Sequence, residues 1–513
     1  MVAIKRKLEA LLGKYNGMSL PVKASIAYVL CSFFQRGIST LTTPIFTRLL
    51  TTEQYGYYKI FNSWLEIVAV FSTLKLSGSV FTQTLVKDEA RRDEYTTSTA
   101  GLGTATTLLT MGIYLPLREY FNRWMGMTTF IMICIFLASW ATLMFEIWAV
   151  RLRVQYKYKP LVFMTVVTSI LKPLAGVVAI LSTQEYKAEA RIISLVAVEI
   201  IVYSGLFISF LRHDKRLFNS HFWRYSLSLN IPLIPHYLTR VVLNQSDSLM
   251  IKSMEGYSQA GIYGLGHNLA WLLTLVTTSL INTLHPWYFQ KIREKQTHSI
   301  GNITYAVIAI VGVCGLGVTA LAPEIVTVFG PKEYHEAIWV IPPLVASIFF
   351  MFMYNVFATF EYYYEKSMFL MVASTIGGVL NIILNYFCIK KFGYIAAGYT
   401  TLFCYIFYAV AHYICMKIII RDHLNNEKIL NLKMLLLLSA AYMACSTVMM
   451  ATYKMWYLRY PLVALALVAV YFNRNRLISV LKEIRKKKKP AKDAKTELTD
   501  HAADTQKQEG TDS

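Results

Sequence analysis

Apolar runs of about 20 residues recur along the whole chain, separated by short polar or charged stretches. An α-helix crosses the roughly 30 Å hydrocarbon core of a bilayer in about 20 residues, so each run reads as a membrane span. The runs fall at 22–46, 56–79, 97–117, 127–150, 160–182, 192–211, 227–251, 260–284, 302–322, 336–358, 367–389, 394–418, 434–452 and 456–472, which predicts about 14 spanning helices. Backbone polar groups in lipid must be satisfied inside the element, and helices do this segment by segment. A transmembrane β-barrel would show alternating strands of about 10 residues, and these runs are too long and do not alternate. The expected fold class is therefore all-α and integral to the membrane.

The polar punctuation orients the spans. With the N-terminus set in the cytoplasm, the inward connections hold clusters of basic residues: Lys87, Arg91 and Arg92; Arg151, Arg153, Lys157 and Lys159; Arg212, Lys215, Arg216 and Arg224; Lys291, Arg293 and Lys295; Arg421, Lys428 and Lys433. The outward ones mostly hold one or two, such as Arg48, Lys252 and Lys332. Lys and Arg are retained on the cytoplasmic side, so both termini are expected there and the span count is even. No connection exceeds about 20 residues, so the work of the protein is expected between its helices.

Composition agrees. The chain has 513 residues, 55% hydrophobic and 16% charged, with a formal net charge of +21. Soluble domains carry about 25% charged residues, so a soluble multidomain enzyme is excluded. The basic excess would suggest nucleic acid if it sat on a folded module. It lies instead in the inward connections and in a tail from Arg474 to Lys495, where topology and contact with anionic lipid are the better readings. Residues 1–21 carry Lys5, Arg6, Lys7 and Lys14 beside Leu8, Leu11 and Leu12, which reads as an interfacial amphipathic helix or as a frayed basic end. No cleavable signal peptide is expected. The seven cysteines lack CxxC spacing, so neither a disulfide framework nor a zinc site is expected.

An internal repeat organises the spans. Gln54, Gly56 and Tyr58 match Gln259, Gly261 and Tyr263 at an offset of about 205, and Lys159 to Thr168 runs beside Lys366 to Thr375 at a similar offset. Two matches in the same order argue for two related six-helix lobes, 22–211 and 227–418, joined by a cytoplasmic loop at 212–226. Helices at 434–472 and the tail at 473–513 follow. Six is even, so the lobes run in the same direction, a parallel repeat about an axis along the membrane normal that suits alternating access. A repeat kept only for packing is the plain alternative.

Charges inside the spans are site candidates, since each costs roughly 2.5–3.5 kcal/mol at mid-bilayer on insertion scales. His236, Arg240, Asn244 and Asp247 are spaced 4, 4 and 3, forming one polar stripe about 16 Å long. The first span carries Ser25, Ser32, Arg36, Thr40, Thr43 and Thr47 on one stripe, and Arg36 and Arg240 fall within about a residue of each other under the repeat. Lys59 and Glu66 share a face of the second span, and Lys172 lies on a polar face of the fifth. His267 lies on a polar face of the eighth, and Glu199 and Glu146 are single acids in the sixth and fourth. Plain alternatives exist: Lys59 with Glu66, Asp247 with Arg240, and Glu146 with Arg153 as structural pairs, and His412 as a packing residue. Arginine stays charged and grips phosphate or carboxylate in two places, so paired cleft arginines suggest an anionic passenger.

The stretch Pro44-Ile-Phe-Thr-Arg-Leu-Leu-Thr-Thr-Glu-Gln-Tyr-Gly-Tyr-Tyr58, with Ser246-Asp-Ser-Leu-Met-Ile251, Ala260-Gly-Ile-Tyr263 and Gly393-Tyr-Ile-Ala-Ala-Gly398, resembles the oligosaccharide flippases of the polysaccharide transporter family (Wzx-type). That family lies within the multidrug/oligosaccharidyl-lipid/polysaccharide exporter (MOP) superfamily. The resemblance covers spans 1–12. It implies a two-lobed, MATE-like bundle in the bacterial cytoplasmic membrane that moves an undecaprenyl-pyrophosphate-linked oligosaccharide repeat unit to the outer leaflet. Arg36, Arg240, Lys59 and Lys172 would meet the pyrophosphate or acidic sugars. Asp247, Glu66, His267, His236 and Glu199 are the candidates for coupling to H+ or Na+. A polysaccharide polymerase and a chain-length regulator are the protein partners it suggests.

The function expected is that of a non-enzymatic flippase for O-antigen, capsule or exopolysaccharide. No P-loop pattern of GxxxxGK[ST] occurs, and no cofactor is expected. A multidrug exporter on the same fold is the alternative, disfavoured by Arg36. An integral membrane polymerase or acyltransferase is a third reading, disfavoured by the short outward connections.

Overall fold

The computed structural model describes residues 17–472, apart from 297, 425–426, 466–467 and 469–470. The expected amphipathic segment before residue 17 and the tail from 473 lie outside the described residues. Within them the chain is helical, as expected from its apolar runs. In the first half the helices are α1 (Leu20–Leu49), α2 (Thr52–Thr73), α3 (Ser79–Lys87), α4 (Arg92–Tyr114), α5 (Arg118–Met125), α6 (Thr129–Val154), α7 (Tyr158–Leu181) and α8 (Lys187–His213). A linker helix α9 (Ser220–Asn230) and a 3-10 turn at Ile231–Leu233 lead into the second half. There follow α10 (Ile234–Glu255), α11 (Tyr257–Trp271), α12 (Leu273–Arg293), α13 (His298–Ala320), α14 (Ala322–Phe329), α15 (Ile341–Tyr363), α16 (Ser367–Phe392), α17 (Ala396–His423) and α18 (Leu432–Ala451). Residues 456–465 are helical again.

Nine helices among the described residues are long and apolar enough to cross a membrane, with α11 and α12 counted as one of 37 residues. A tenth is α4 with α5, which meet at 91°. α1, α2 and α10 have spanning length, at 30, 22 and 22 residues, but are more polar. Their polar faces are the stripes that the sequence places in the cleft. Local chemistry sets the ends. Thr51 and Gln54 form a reciprocal capping box that starts α2, their side chains accepting from each other's backbone N–H at 3.2 and 3.1 Å. α2 stops earlier than its apolar run, because Leu74 and Lys75 turn left-handed, with φ of 48° and 47°.

The two halves repeat the same packing. α1 packs on α7, α2 on α6, α6 on α8 and α7 on α8; in the second half α10 packs on α16, α11 on α15, α15 on α17 and α16 on α17. Even the turns match: Tyr156 between α6 and α7 has φ 53°, and Glu365 between α15 and α16 has φ 56°. The halves meet where α2 crosses α11, at the two glycines of the sequence repeat. A Cβ on Gly56 would lie 1.8 Å from the Tyr257 carbonyl oxygen, and one on Gly261 would lie 2.3 Å from that of Thr52. Thr52 and Tyr257 are themselves 205 apart, like the glycines, so the two approaches are one contact seen twice about a pseudo-twofold axis.

The linker docks on the first half. Glu94 on α4 accepts from Asn219 at 2.7 Å, Arg91 at 3.0 Å and Arg216 at 3.2 Å, and Trp223 donates to the Ser98 carbonyl at 3.0 Å. The chain therefore passes from one half to the other at Ile231–Leu233.

Candidate transport cleft

Contacts between the halves gather at one end of the bundle, where α1 turns into α2 and α10 into α11. There Thr52 and Ser258 hydroxyls lie 2.7 Å apart, Arg48 donates to the Val328 carbonyl at 2.9 Å, and Lys252 donates to that of Met125 at 3.3 Å. Tyr257 donates to the Gly126 carbonyl at 2.5 Å, and the Tyr57 and Tyr257 rings meet at 5.3 Å. We call this array the clasp.

Below the clasp, one face of α2 holds the second half by polar contacts. Lys59, Ser63 and Glu66 are spaced 4 and 3, so they line one helix face. Lys59 Nζ donates to Asn268 Oδ1 at 2.9 Å, Ser63 Oγ donates to Gln245 Oε1 at 2.9 Å, and Gln245 Nε2 donates to Glu66 Oε2 at 2.8 Å. Lys59 and Glu66 thus each take a partner from the other half. Arg36 Nη1 reaches Thr274 Oγ1 at 3.4 Å across the same divide. Further from the clasp, Ser25 and Ser32 on α1 and Ser279, Asn282 and Thr283 on α12 are exposed. Exposure of these two helices on the side away from the clasp marks where the halves part.

The remaining candidates separate into two groups. Lys172 pairs with Glu199 at 2.6 Å inside the first half, with Nζ 5.3 Å from the centre of the Tyr203 ring. Beside them Arg191, which sequence reasoning missed, donates to the Lys172 carbonyl at 3.1 Å and lies 3.9 Å from the Phe46 ring centre. Gly176 leaves it room, since a Cβ there would be 2.1 Å from Arg191 Nη1. At the start of α8, Arg191 falls just outside the sixth apolar run, which hid it. Glu146 accepts from Ser77 at 2.5 Å.

Asp247 turns into the second half, away from Gln245. Its carboxylate is buried and accepts from Asn385 Nδ2 at 2.6 Å, Tyr263 OH at 2.7 Å and Thr401 Oγ1 at 2.8 Å. Asn381 joins the network, accepting from Ser246 at 3.1 Å and from Asn385 at 3.2 Å. The asparagines on α16 gave no charge signal in the sequence, so their part in the site was invisible there. His267 stacks on Trp271 at 4.6 Å, and His236 is exposed at the start of α10, 5.8 Å from the Tyr237 ring. The Arg240 side chain lies outside the described set.

The halves are therefore alike in packing. Among the described side chains, Arg36, Lys59 and Arg191 are cations of the first half near Glu66. The second half holds Asp247 amid neutral hydrogen-bond donors.

A family model described as "Polysaccharide biosynthesis protein" matches residues 22–292, and one described as "MatE" matches 232–387. No curated protein sequence matches the chain. Among solved structures, an inward closed conformation of the lipid II flippase MurJ aligns over 89% of this chain and 100% of its own, at 14% identity and TM-score 0.65. An inward-facing multidrug resistance MATE family transporter of the MOP superfamily covers 75% and 95%, at 11% identity and TM-score 0.58. A MOP superfamily transporter from Pyrococcus furiosus covers 78% and 96%, at 12% identity and TM-score 0.52.

Proposed function

The chain belongs to the polysaccharide biosynthesis protein family, as a multi-pass membrane transporter of the MOP superfamily, and from that premise we propose that it is a flippase for undecaprenyl-pyrophosphate-linked oligosaccharide. The cargo head enters between the lobes, 22–211 and 227–418, from the cytoplasmic leaflet. It leaves toward the outer leaflet of the bacterial cytoplasmic membrane, while the polyprenyl tail stays in lipid. The observation that carries this reading is the pair of cations, Arg36 and Lys59, held at the interface of the lobes by neutral partners, Thr274 and Asn268. Neutral partners leave the charge available. A pyrophosphate displacing them would gain charge-assisted bonds in a medium of low dielectric, where carrying a bare dianion through hydrocarbon is prohibitive.

Arg240 joins this clamp from the second lobe by the repeat, and Lys172 acts through Glu199 as part of its support. Asp247, buried among the Tyr263 and Thr401 hydroxyls and the Asn385 amide, takes up the coupling H+ or Na+, with Glu66, His267 and His236 as lesser candidates. The protein performs no covalent step. With both termini cytoplasmic, the clasp lies on the outer side and the cleft opens inward. The basic tail rests on anionic lipid, and a polymerase and chain-length regulator receive the product.

The test is export. In cells that depend on this chain, Arg36→Ala with Lys59→Ala should abolish surface polysaccharide while the protein remains at normal level in the membrane. Undiminished polysaccharide from that double variant overturns the clamp.

A further inference from the structure

The second half contains a buried pair of titratable groups that the cleft does not use. His412 Nδ1 lies 2.7 Å from Glu361 Oε1, and both side chains are 1% exposed. The other carboxylate oxygen, Oε2, is buried with no hydrogen-bond partner. Buried polar atoms are usually satisfied, and here, as at Glu199 Oε2, a carboxylate oxygen in a buried pair is left bare.

Its position adds to this. Glu361 lies two residues before the end of α15 at Tyr363, at the end of the bundle where the cleft opens. On the far side, Thr401, Tyr405, Tyr408 and His412 are spaced 4, 3 and 4 along α17, which puts them on one face over about 16 Å. Thr401 donates to Asp247. Tyr354 of α15 lies among the others, its ring 6.1 Å from Tyr405, 5.7 Å from Tyr408 and 5.3 Å from His412. A line of aromatic rings thus runs between Thr401 and His412.

Other titratable groups at the pair are Tyr362 on α15 and Cys415 on α17, with His285 on α12, 6.0 Å from the Tyr362 ring. α13 contributes Tyr305, near Tyr413, and α16 meets the line at Gly377, against Tyr408. The one ion pair of Glu361 among the described residues is with His412. Holding one proton between them, imidazole and carboxylate carry no net charge. Without it, a lone negative charge remains in apolar surroundings, which is costly. The proton can leave once water reaches the pair.

We propose that Glu361 and His412 form a proton-binding site of the second half. With the α15–α17 end open to water, a proton passes from water to His412, which becomes an imidazolium beside Glu361 and keeps the proton while that end is closed. On reopening, the imidazolium returns the proton to water and is again neutral imidazole. One proton is bound and released, and no other reactant is consumed. This rests on the reading that the second lobe carries the coupling ion, and it commits that ion to H+.

The experiment is a magnetic-resonance titration of the whole protein, labelled at histidine and held in lipid nanodiscs, over about pH 5 to 9, the range in which imidazole titrates. The His412 signal is the one lost in His412→Gln. The expected result is that His412 passes between neutral and charged forms, and that Glu361→Gln weakens its proton affinity about tenfold or more. A His412 that keeps one protonation state throughout, or titrates identically in Glu361→Gln, overturns the proposal. If Glu361→Gln does not fold, the Glu361 carboxyl stretch in infrared difference spectra of His412→Gln against wild type reads the same coupling, and an unmoved stretch overturns it. No cargo enters these measurements, so failure of the flippase reading would appear separately, in the polysaccharide assay.

Discussion

A single glycine measures how closely the halves meet. A methyl group at Gly56 would collide with backbone, which cannot swing aside as a flexible side chain can. Gly56→Ala should therefore cost about 1–3 kcal/mol, and Gly261→Ala the same amount within error, because the two sites are one contact repeated. Thermal unfolding in detergent checks this, and clearly unequal costs would refute the pseudo-symmetry at this point. At Asp247 the prediction has the opposite emphasis. Asp247→Ala strands the donors Tyr263, Thr401 and Asn385, each worth about 1–3 kcal/mol when left unsatisfied. Asp247→Asn keeps the shape, so it should fold nearly as wild type while losing ion-driven export. Arg36 is exposed, so Arg36→Ala should change stability by no more than about 0.5 kcal/mol although it removes export. A large loss of stability on Arg36→Ala would make that arginine structural.

At the scale of elements, the apolar runs located the long helices, because a span must match the hydrocarbon core, and missed the short ones, α3, α5, α9 and α14. Ends were harder to read. The run at 56–79 includes Leu74 and Lys75, which adopt left-handed backbone and end α2, and nothing in the apolar pattern marks that turn. The run at 227–251 does not reveal that Ser220–Asn230 is a separate helix folded onto α4. Charged candidates were legible one at a time, and their partners were not. Lys59 and Glu66 share a helix face in sequence, which suggested a mutual pair; Asn268 and Gln245, more than 170 residues away, take them instead. Neutral amides carry no cost signal in a span, so nothing in the pattern marked them.

At the scale of the whole molecule, the sequence repeat predicted two equivalent lobes, and matched packing in both halves bears this out. What periodicity could not give was the conformation. The parted cleft and closed clasp are one arrangement of the two halves, and the proposed alternation requires the clasp to part. A cross-link tests this. In a background without the seven native cysteines, Thr52→Cys with Ser258→Cys places two thiols where hydroxyls now lie 2.7 Å apart. Oxidation should join them and stop export, and reduction should restore it. Full export by the cross-linked protein would show that the clasp never opens.

The clasp also bears on timing. In the proposed alternating cycle, each hydrogen bond and ring contact at that end would be broken once per passage, so its strength would enter the waiting time of every cycle. Strengthening it would raise the melting temperature and lengthen the wait; loosening it would do the reverse. In that cycle the glycine crossing would act as an escapement, tight enough to hold the gate between strokes and weak enough to release it.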